Sequence, residues 1–150
     1  MIAIAADHGG FKLKGIIIKY LQSMNIKYKD YGSFTEDAVD YPDVALIASE
    51  SIINGECDKG ILICGTGIGI SIAANKVTGI RAALCGDTFS ARMSRLHNDA
   101  NILTMGARVI GEGLAIDIVD IWLNTEFEGG KHARRVDKLK DIECKYSIIN

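Results

Sequence analysis

Residues 64–69, C-G-T-G-I-G, place a thiol and a hydroxyl in a run of alternating glycines. A glycine-rich turn between a strand and a helix points backbone N–H groups at an anion, and the helix dipole strengthens that attraction. Because the same donors favour a thiolate, the pattern predicts that Cys64 acts as a base or a nucleophile. Two other interpretations stay open at this point: a structural cysteine in the core, and a tight turn that needs glycine for a positive φ.

The spacing of these glycines is not that of a nucleotide-binding loop. Gly65, Gly67 and Gly69 form G-x-G-x-G rather than G-x-G-x-x-G, they follow a later strand than the first, and no P-loop Lys-Ser/Thr pair follows them. The pattern therefore favours a loop that holds another kind of anion. A non-enzymatic nucleotide-binding module is the alternative.

Polar side chains elsewhere complete a set that suits proton transfer. Asp7 and His8 follow the first predicted strand, His97 closes a predicted helix, and Arg108 follows the last predicted strand. Capping of a helix by Asp7, a surface role for His8 and a dipole interaction of His97 are the structural alternatives. A base, an acid–base group and oxyanion donors are what proton transfer on a sugar phosphate requires.

A basic cluster opens the last predicted helix, at Lys131, His132, Arg134 and Arg135. Cations at a helix N-terminus oppose the helix dipole, and a bound phosphate would compensate for that repulsion. Lys131 and Arg135 are four residues apart, so both can hold one oxyanion. A solvated basic face is the alternative.

Short apolar segments alternate with helical patterns and predict the elements that position these residues. The predicted strands are 2–6, 26–30, 60–64, 81–85 and 101–105. The predicted helices are 10–24, 42–53, 70–76, one that begins at Asp87 or Thr88 with Phe89, Met93 and Leu96 inward, 112–124 and 132–146.

This alternation predicts an α/β fold, a three-layer Rossmann-like sandwich. We expect a five-stranded parallel sheet in the order 2-1-3-4-5, with helices on both faces and a C-terminal helix. In such a sheet the chain reverses direction between strands 1 and 3, and ligands bind at the carboxyl ends of the strands there. That edge collects Asp7, His8 and residues 64–69.

Composition narrows the class of protein. The chain has 150 residues and a formal net charge of -2, which predicts a single domain over 1–150 and disfavours a general nucleic-acid binder. With no apolar run of about 18 residues and no secretion signal, we expect no membrane association and a cytoplasmic location. None of the four cysteines forms a C-x-x-C pair, so no metal is expected; Cys57 and Cys85 are predicted to be structural and Cys144 to pack.

Five segments together resemble the type B ribose-5-phosphate isomerases, over nearly the whole chain. They are DHGG at 7–10, DYPD at 40–43, GILICGTGIGISIAANK at 60–76, RLHNDAN at 95–101 and EGGKHARRV at 128–136. The resemblance implies interconversion of ribose 5-phosphate and ribulose 5-phosphate through a cis-enediolate, in the pentose phosphate pathway, with no metal and no organic cofactor. Galactose 6-phosphate and allose 6-phosphate isomerases share much of the pattern, so a six-carbon substrate is the alternative.

The resemblance also implies roles for individual residues. Cys64 is the base, Thr66 moves protons on the substrate oxygens, and Asp7 with His97 opens the furanose ring. Some members use a downstream glutamate as the base, but residues 70–76 contain no acid. The implied substrate-binding residues are His8, Tyr41, Gly65, Gly67, Ile68, Gly69, Ser71, Asn98, Arg108, Lys131, His132 and Arg135.

Two further expectations follow from the resemblance. Lys131 stands where the family often has arginine, and a lysine cannot make a two-pronged contact with phosphate. The family also implies a homodimer whose active sites take residues from both subunits. An apolar tail with Tyr146, Ile148 and Ile149 is consistent with its interface.

Overall fold

The computed structural model describes residues 1–147, in which a helix follows each of the five strands. The strands are β1 (Ile2–Ala6), β2 (Tyr28–Asp30), β3 (Lys59–Cys64), β4 (Ala82–Leu84) and β5 (Ile102–Gly106). The helices are α1 (Phe11–Ser23), α2 (Tyr41–Ile53), α3 (Ile68–Ala74), α4 (Thr88–Asn98), α5 (Glu112–Leu123) and α6 (Lys131–Tyr146).

The five strands form one parallel sheet in the order β2-β1-β3-β5-β4. The predicted α/β class and the reversal between β1 and β3 are confirmed. The predicted order was wrong for the last two strands, because β5 lies between β3 and β4. All five residues of β5 are buried, which suits a strand covered on both sides, whereas β4 is three residues long, is partly exposed and forms the edge.

Alternate residues of the strands build a separate core on each face of the sheet. Ile2 and Ile4 of β1 pack into a cluster with residues of α1, α4 and α5, including Trp122. Ala3 and Ala5 of the same strand pack against residues of α2 and α3. Because successive side chains of a strand point to opposite faces, one apolar strand supplies both cores.

Helix α4 begins as predicted, but one of the three residues predicted to face inward is exposed. Asp87 is its N-cap, and the carboxylate accepts a hydrogen bond from the Ser90 N–H. The buried residues are Ala91, Ser94 and Arg95, whereas 71% of Phe89 is exposed. Met93 and Leu96 are half-buried, so the predicted face was wrong only at Phe89, and small residues with one arginine form the fully buried part of the helix. The Arg95 guanidinium lies 5.7 Å from the Trp122 ring centroid.

Helix α6 passes the amino end of the sheet. It packs on α4, and its Glu143 carboxylate accepts a hydrogen bond of 2.9 Å from the Gly79 N–H, just before β4. Cys144, predicted to pack, is exposed, as is Tyr146; Ile148 and Ile149 lie outside the described residues. Among residues 1–147, no helix is both long and apolar enough to span a bilayer.

Candidate active site

The turn after β3 holds a thiol against a backbone donor. Cys64 is 4% exposed, and its Sγ accepts a hydrogen bond of 3.0 Å from the Gly67 N–H. Gly67 has φ +77, and a Cβ there would lie 2.7 Å from the backbone carbonyl carbon of Met105. Only glycine fits this position, so the turn that aims an N–H at the sulfur requires the glycine in the sequence.

Thr66 occupies the exposed side of the same turn. Its Oγ1 accepts a hydrogen bond of 3.2 Å from the Ile68 N–H, at the start of α3. Its backbone packs so closely on β5 that a Cβ on Gly106 would lie 2.5 Å from the Thr66 carbonyl carbon. The hydroxyl is therefore held in place and accessible, as a group that exchanges protons with a substrate oxygen must be.

Asp7 and His8 lie beside this turn, at the carboxyl end of β1. Asp7 is 8% exposed, and its Oδ1 accepts a hydrogen bond of 3.0 Å from the N–H of Gly10, which is itself the N-cap residue of α1. A Cβ on Gly9 would lie 3.2 Å from both Asp7 Oδ1 and the Gly65 nitrogen. The two turns therefore touch, as the predicted switch point requires. The exposed His8 accepts a bond of 3.4 Å at Nδ1 from the Val39 N–H.

Arg108 and Tyr41 complete the same edge. The Arg108 N–H donates to the Gly65 carbonyl at 3.0 Å, and its Nη1 lies 3.0 Å from where a Cβ on Gly65 would sit. The Tyr41 ring lies equally close to Gly69, with Cζ 2.8 Å from a Cβ position there. We name this set the carboxyl-edge half-site; its members are Asp7, His8, Tyr41, residues 64–71, which include Gly65, Gly69 and Ser71, and Arg108.

A second cluster forms where α4 ends and α6 begins. The His97 and His132 rings are stacked, with centroids 4.0 Å apart and an interplanar angle of 6°. The Glu128 Oε2, which the sequence reasoning missed, lies 3.9 Å from the Nε2 of His97 and 3.6 Å from that of His132. We name this set the amino-edge half-site; its members are His97, Asn98, Glu128, Lys131, His132 and Arg135.

Burial governs the electrostatics of this second cluster. It lowers the pKa of His132, and the neighbouring His97 lowers it further. Glu128 opposes that shift, whereas Lys131 and Arg135 add to it. The neutral form of the His132 imidazole is therefore favoured beside a strongly basic helix start.

The two half-sites lie at opposite ends of one chain's sheet. The Arg81 guanidinium, which precedes β4, donates to the carbonyl oxygens of Asn98 and Asp99. The end of α4 is therefore at the amino edge, whereas Cys64 ends β3 at the carboxyl edge. Five residues of strand span about 13 Å, so His97 does not reach the Cys64 turn within one chain. The two half-sites therefore do not form a single cleft within one chain.

The cations assigned to phosphate are exposed and without acidic partners. Arg108, Lys131 and Arg135 form no ion pair with any of the residues 1–147, whereas Arg95 and Arg81 both pair with Asp99. Unpaired arginine and lysine side chains at these edges remain available for an anionic ligand.

The other buried cysteines lack the surroundings of Cys64. Burial raises the pKa of the Cys85 thiol to about 11, and its sulfur contacts the Ala83 carbonyl oxygen at 3.7 Å. Cys57 is 3% exposed in the core under α2. These positions fit the structural roles expected for both residues.

A parallel α/β sheet with a thiol, a carboxylate and an amide-rich turn at its switch point is the arrangement of an enzyme that acts on a small anionic substrate. Residues 2–139 match the Ribose/Galactose Isomerase family, and the chain belongs to that family. It is 48% identical to ribose-5-phosphate isomerase B of Escherichia coli over 142 residues, which cover 95% of each chain.

Solved structures agree with this assignment. Clostridium thermocellum ribose-5-phosphate isomerase B superposes with a TM-score of 0.96 and 57% identity, covering 97% of this chain and 99% of that one. The Mycoplasma genitalium ribose-5-phosphate isomerase B, solved with bound ribulose 5-phosphate, gives a TM-score of 0.91 and 42% identity, with 96% of each chain covered.

Proposed function

We propose that this chain interconverts ribose 5-phosphate and ribulose 5-phosphate through a cis-enediolate, with Cys64 as the base. The contact between the Cys64 Sγ and the Gly67 N–H, at the sheet's switch point, carries the proposal. An N–H directed at the sulfur stabilises the thiolate, which is the form that abstracts a proton.

The reaction uses the carboxyl-edge half-site in a defined order. The Cys64 thiolate removes the proton from the carbon beside the carbonyl and later returns it to the neighbouring carbon. Thr66 exchanges protons with the substrate oxygens as the double bond shifts. The amides of residues 65–71 face the oxyanion that develops, and each well-placed donor is worth about 3 kcal/mol in the transition state.

Ring opening and phosphate binding need the amino-edge half-site as well. In the resemblance, His97 acts with Asp7 on the furanose ring, and Lys131, His132 and Arg135 hold the phosphate. Within one chain these residues and Asp7 are at opposite edges of the sheet. We therefore propose a homodimer in which each active site combines one half-site from each subunit.

An exposed apolar face beside the Cys64 turn supports this dimer. α2 and α3 pack on each other, and both expose large aliphatic side chains on their outer side: Leu46 at 46%, Ile47 at 49%, Ile68 at 53% and Ile72 at 57%. A face of this kind beside a half-site marks a protein–protein contact. A two-fold dimer through it presents the same patch twice and completes two identical sites.

Because the base is a free thiol, we also place the enzyme in the reducing cytoplasm.

The direct test is isomerase turnover on ribose 5-phosphate by Cys64→Ala, with Cys85→Ala as the matched control. Both cysteines are buried, and Cys85 follows the edge strand β4, which β5 separates from β3. We expect Cys64→Ala to lower kcat by about 10²- to 10⁴-fold and Cys85→Ala to leave it nearly unchanged. Near-normal kcat in a folded Cys64→Ala enzyme excludes Cys64 as the base.

A six-carbon sugar phosphate is the second candidate substrate, because the matched family covers galactose as well as ribose isomerases. One extra carbon is worth only about 1–3 kcal/mol of discrimination, so a panel of aldose phosphates must be compared by kcat/KM.

Calorimetry with AMP and NAD tests the nucleotide-binding alternative. Tight nucleotide binding without turnover of any sugar phosphate would favour the nucleotide-binding module instead.

A further inference from the structure

The alternating glycines of the Cys64 turn are present for two different physical reasons. Gly67 has φ +77, so its backbone conformation alone favours glycine. Gly65 and Gly69 are not among the glycines with a positive φ. The backbone at these two positions is open to any residue, so the reason for glycine there lies in what surrounds the missing side chain.

The side chain nearest to a Cβ on Gly65 would be that of Arg108. The three closest atoms are its Nη1, Cζ and Nε, at 3.0, 3.2 and 3.4 Å. Because these bonded atoms lie at similar distances and Cζ is nearer than Nε, the Cβ would point at the face of the guanidinium and not at its edge. Gly65 is buried although Arg108 is exposed. The guanidinium therefore lies flat on the turn and covers Gly65.

The Tyr41 ring lies over Gly69 in the same way. The three atoms closest to a Cβ on Gly69 would be its Cζ, Cε2 and Cε1, at 2.8, 3.0 and 3.1 Å. Cζ is the nearest atom although it carries the hydroxyl, so the approach is again from the face of the ring. Tyr41 is 41% exposed, which leaves the ring free to move outward without disturbing the core.

Packing of this kind leaves the polar edges of both side chains available. The N–H donors of a guanidinium lie in its plane, and the hydroxyl of a tyrosine lies in the plane of the ring. Side chains that lie flat on Gly65 and Gly69 therefore direct these groups along the surface of the turn, beside Cys64. An added Cβ needs about 3.5 Å of separation, so it would displace each plane by about 0.5 Å or more.

We propose that Gly65 and Gly69 are positioning residues, which hold the Arg108 guanidinium and the Tyr41 ring flat against the Cys64 turn in the orientation that binds substrate. The effect on turnover rests on the proposed function, in which Arg108 and Tyr41 contact the sugar phosphate. The packing itself does not depend on any substrate. Because a misplacement of about 1 Å can cost about a hundredfold, a displacement of half that size is expected to cost about tenfold.

The chain offers a matched control for each of the variants Gly65→Ala and Gly69→Ala. Gly86 lies in the turn between β4 and α4, as Gly65 lies in the turn between β3 and α3. Gly113 is the second residue of α5, as Gly69 is of α3. A Cβ at either control position would have no atom within 4 Å. We expect the urea midpoint of Gly69→Ala to be at or above that of the parent, because alanine favours a helix over glycine.

The packing is tested first, without substrate, by NMR of the folded proteins. The Nε–H signal of Arg108, identified by its loss in Arg108→Lys, should shift in Gly65→Ala and stay in place in the control. The ring signals of Tyr41, identified by Tyr41→Phe, should shift in Gly69→Ala and not in its control. An unmoved signal overturns the proposal at that glycine. So does a variant that unfolds where its control is folded, because a displaced surface side chain does not unfold the core.

Turnover of ribose 5-phosphate is tested second, by double-mutant cycles. Gly65→Ala should raise KM about tenfold, keep kcat within about threefold, and have no further effect in an Arg108→Ala background. Gly69→Ala should lower kcat/KM about tenfold, and should have no further effect in a Tyr41→Ala background. Additive effects, or a loss of kcat at unchanged KM in Gly65→Ala, would show that the glycine acts directly on the Cys64 turn and would refute the positioning role. Absent turnover in the parent counts against the proposed function alone, because the NMR signals report the packing without substrate.

Discussion

Two inactive variants should restore each other if the active site is shared between subunits. Cys64→Ala removes the base from the carboxyl-edge half-site, and His97→Ala disables the amino-edge half-site. Each homodimer then has the same defect in both of its sites. In a mixed dimer, one site combines both substitutions and the other combines the intact Cys64 of one subunit with the intact His97 of the other.

The size of the effect follows from the geometry. The α4 end and the β3 end lie at opposite edges of the sheet, about 13 Å apart along a five-residue strand, so the proposed active site needs both subunits. A mixed dimer has one intact site of two and should show about half of wild-type kcat. Each parent homodimer loses a proton-transferring group and should retain about a hundredth or less. The contrast is roughly fiftyfold.

The assay uses two affinity tags and co-expression, so that only mixed dimers survive sequential purification. Turnover of ribose 5-phosphate is then compared with that of both tagged parents and tagged wild type. A mixed dimer of Cys64→Ala with wild type controls for the tags and should also keep about half of the activity. If the purified mixed dimer is no more active than the mean of its parents, each site lies within one chain and the reasoning fails.

Three further outcomes follow from other contacts. Ile72→Asp on the exposed α2–α3 face should be a monomer in size-exclusion measurements and should show little turnover. Met24→Asp, on the opposite face of the sheet, should stay dimeric. The reverse result would show that the interface does not lie on the α2–α3 face. Gly67→Ala should lower the free energy of unfolding, measured by urea titration, by about 2–5 kcal/mol, because Gly67 has a positive φ and lies close to the Met105 backbone. Gly113→Ala, in a helix with open space around the residue, should instead raise the free energy of unfolding by up to about 1 kcal/mol. Burial raises the pKa of Cys85 to about 11, against 9.0 for an ordinary thiol, so the stability that its protonated form contributes is complete below pH 9 and is lost as pH rises toward 11. Cys85→Ala should therefore flatten the plot of unfolding free energy against pH between these values. An unchanged plot contradicts the raised pKa.

The sequence predicted the carboxyl-edge half-site because its signals are local. Strand β1 and strand β3 are continuous apolar segments, and each ends in glycine beside a polar side chain. Once both are central parallel strands, their carboxyl ends must meet at the switch point. The close approach of Gly9 to Asp7 and Gly65 shows that the two strand ends do meet. The backbone bond from Gly67 to the Cys64 sulfur was not specified by spacing, because it depends on the turn conformation.

The order of β4 and β5 required information that periodicity does not carry. Both segments read as apolar strands of five residues, and only their burial separates them. Gly106 gives the physical reason for the observed order: β5 packs so tightly on the Cys64 turn that any side chain there would strike Thr66. That contact requires β5 beside β3. It also brings Arg108 directly against Gly65, where the predicted order would have left it one strand away.

The separation of His97 from Cys64, by contrast, was implicit in the sequence. A helix that joins two neighbouring parallel strands runs antiparallel to them, so its last residues return to the amino edge of the sheet. Asp7 and Cys64 end strands, whereas His97 and Asn98 end a helix, and that difference alone assigns them to opposite edges. Residues with these two kinds of position can act on one substrate only when a second copy supplies one of the edges. The proposed sharing of the active site thus follows from βαβ geometry applied to the roles that the resemblance assigns.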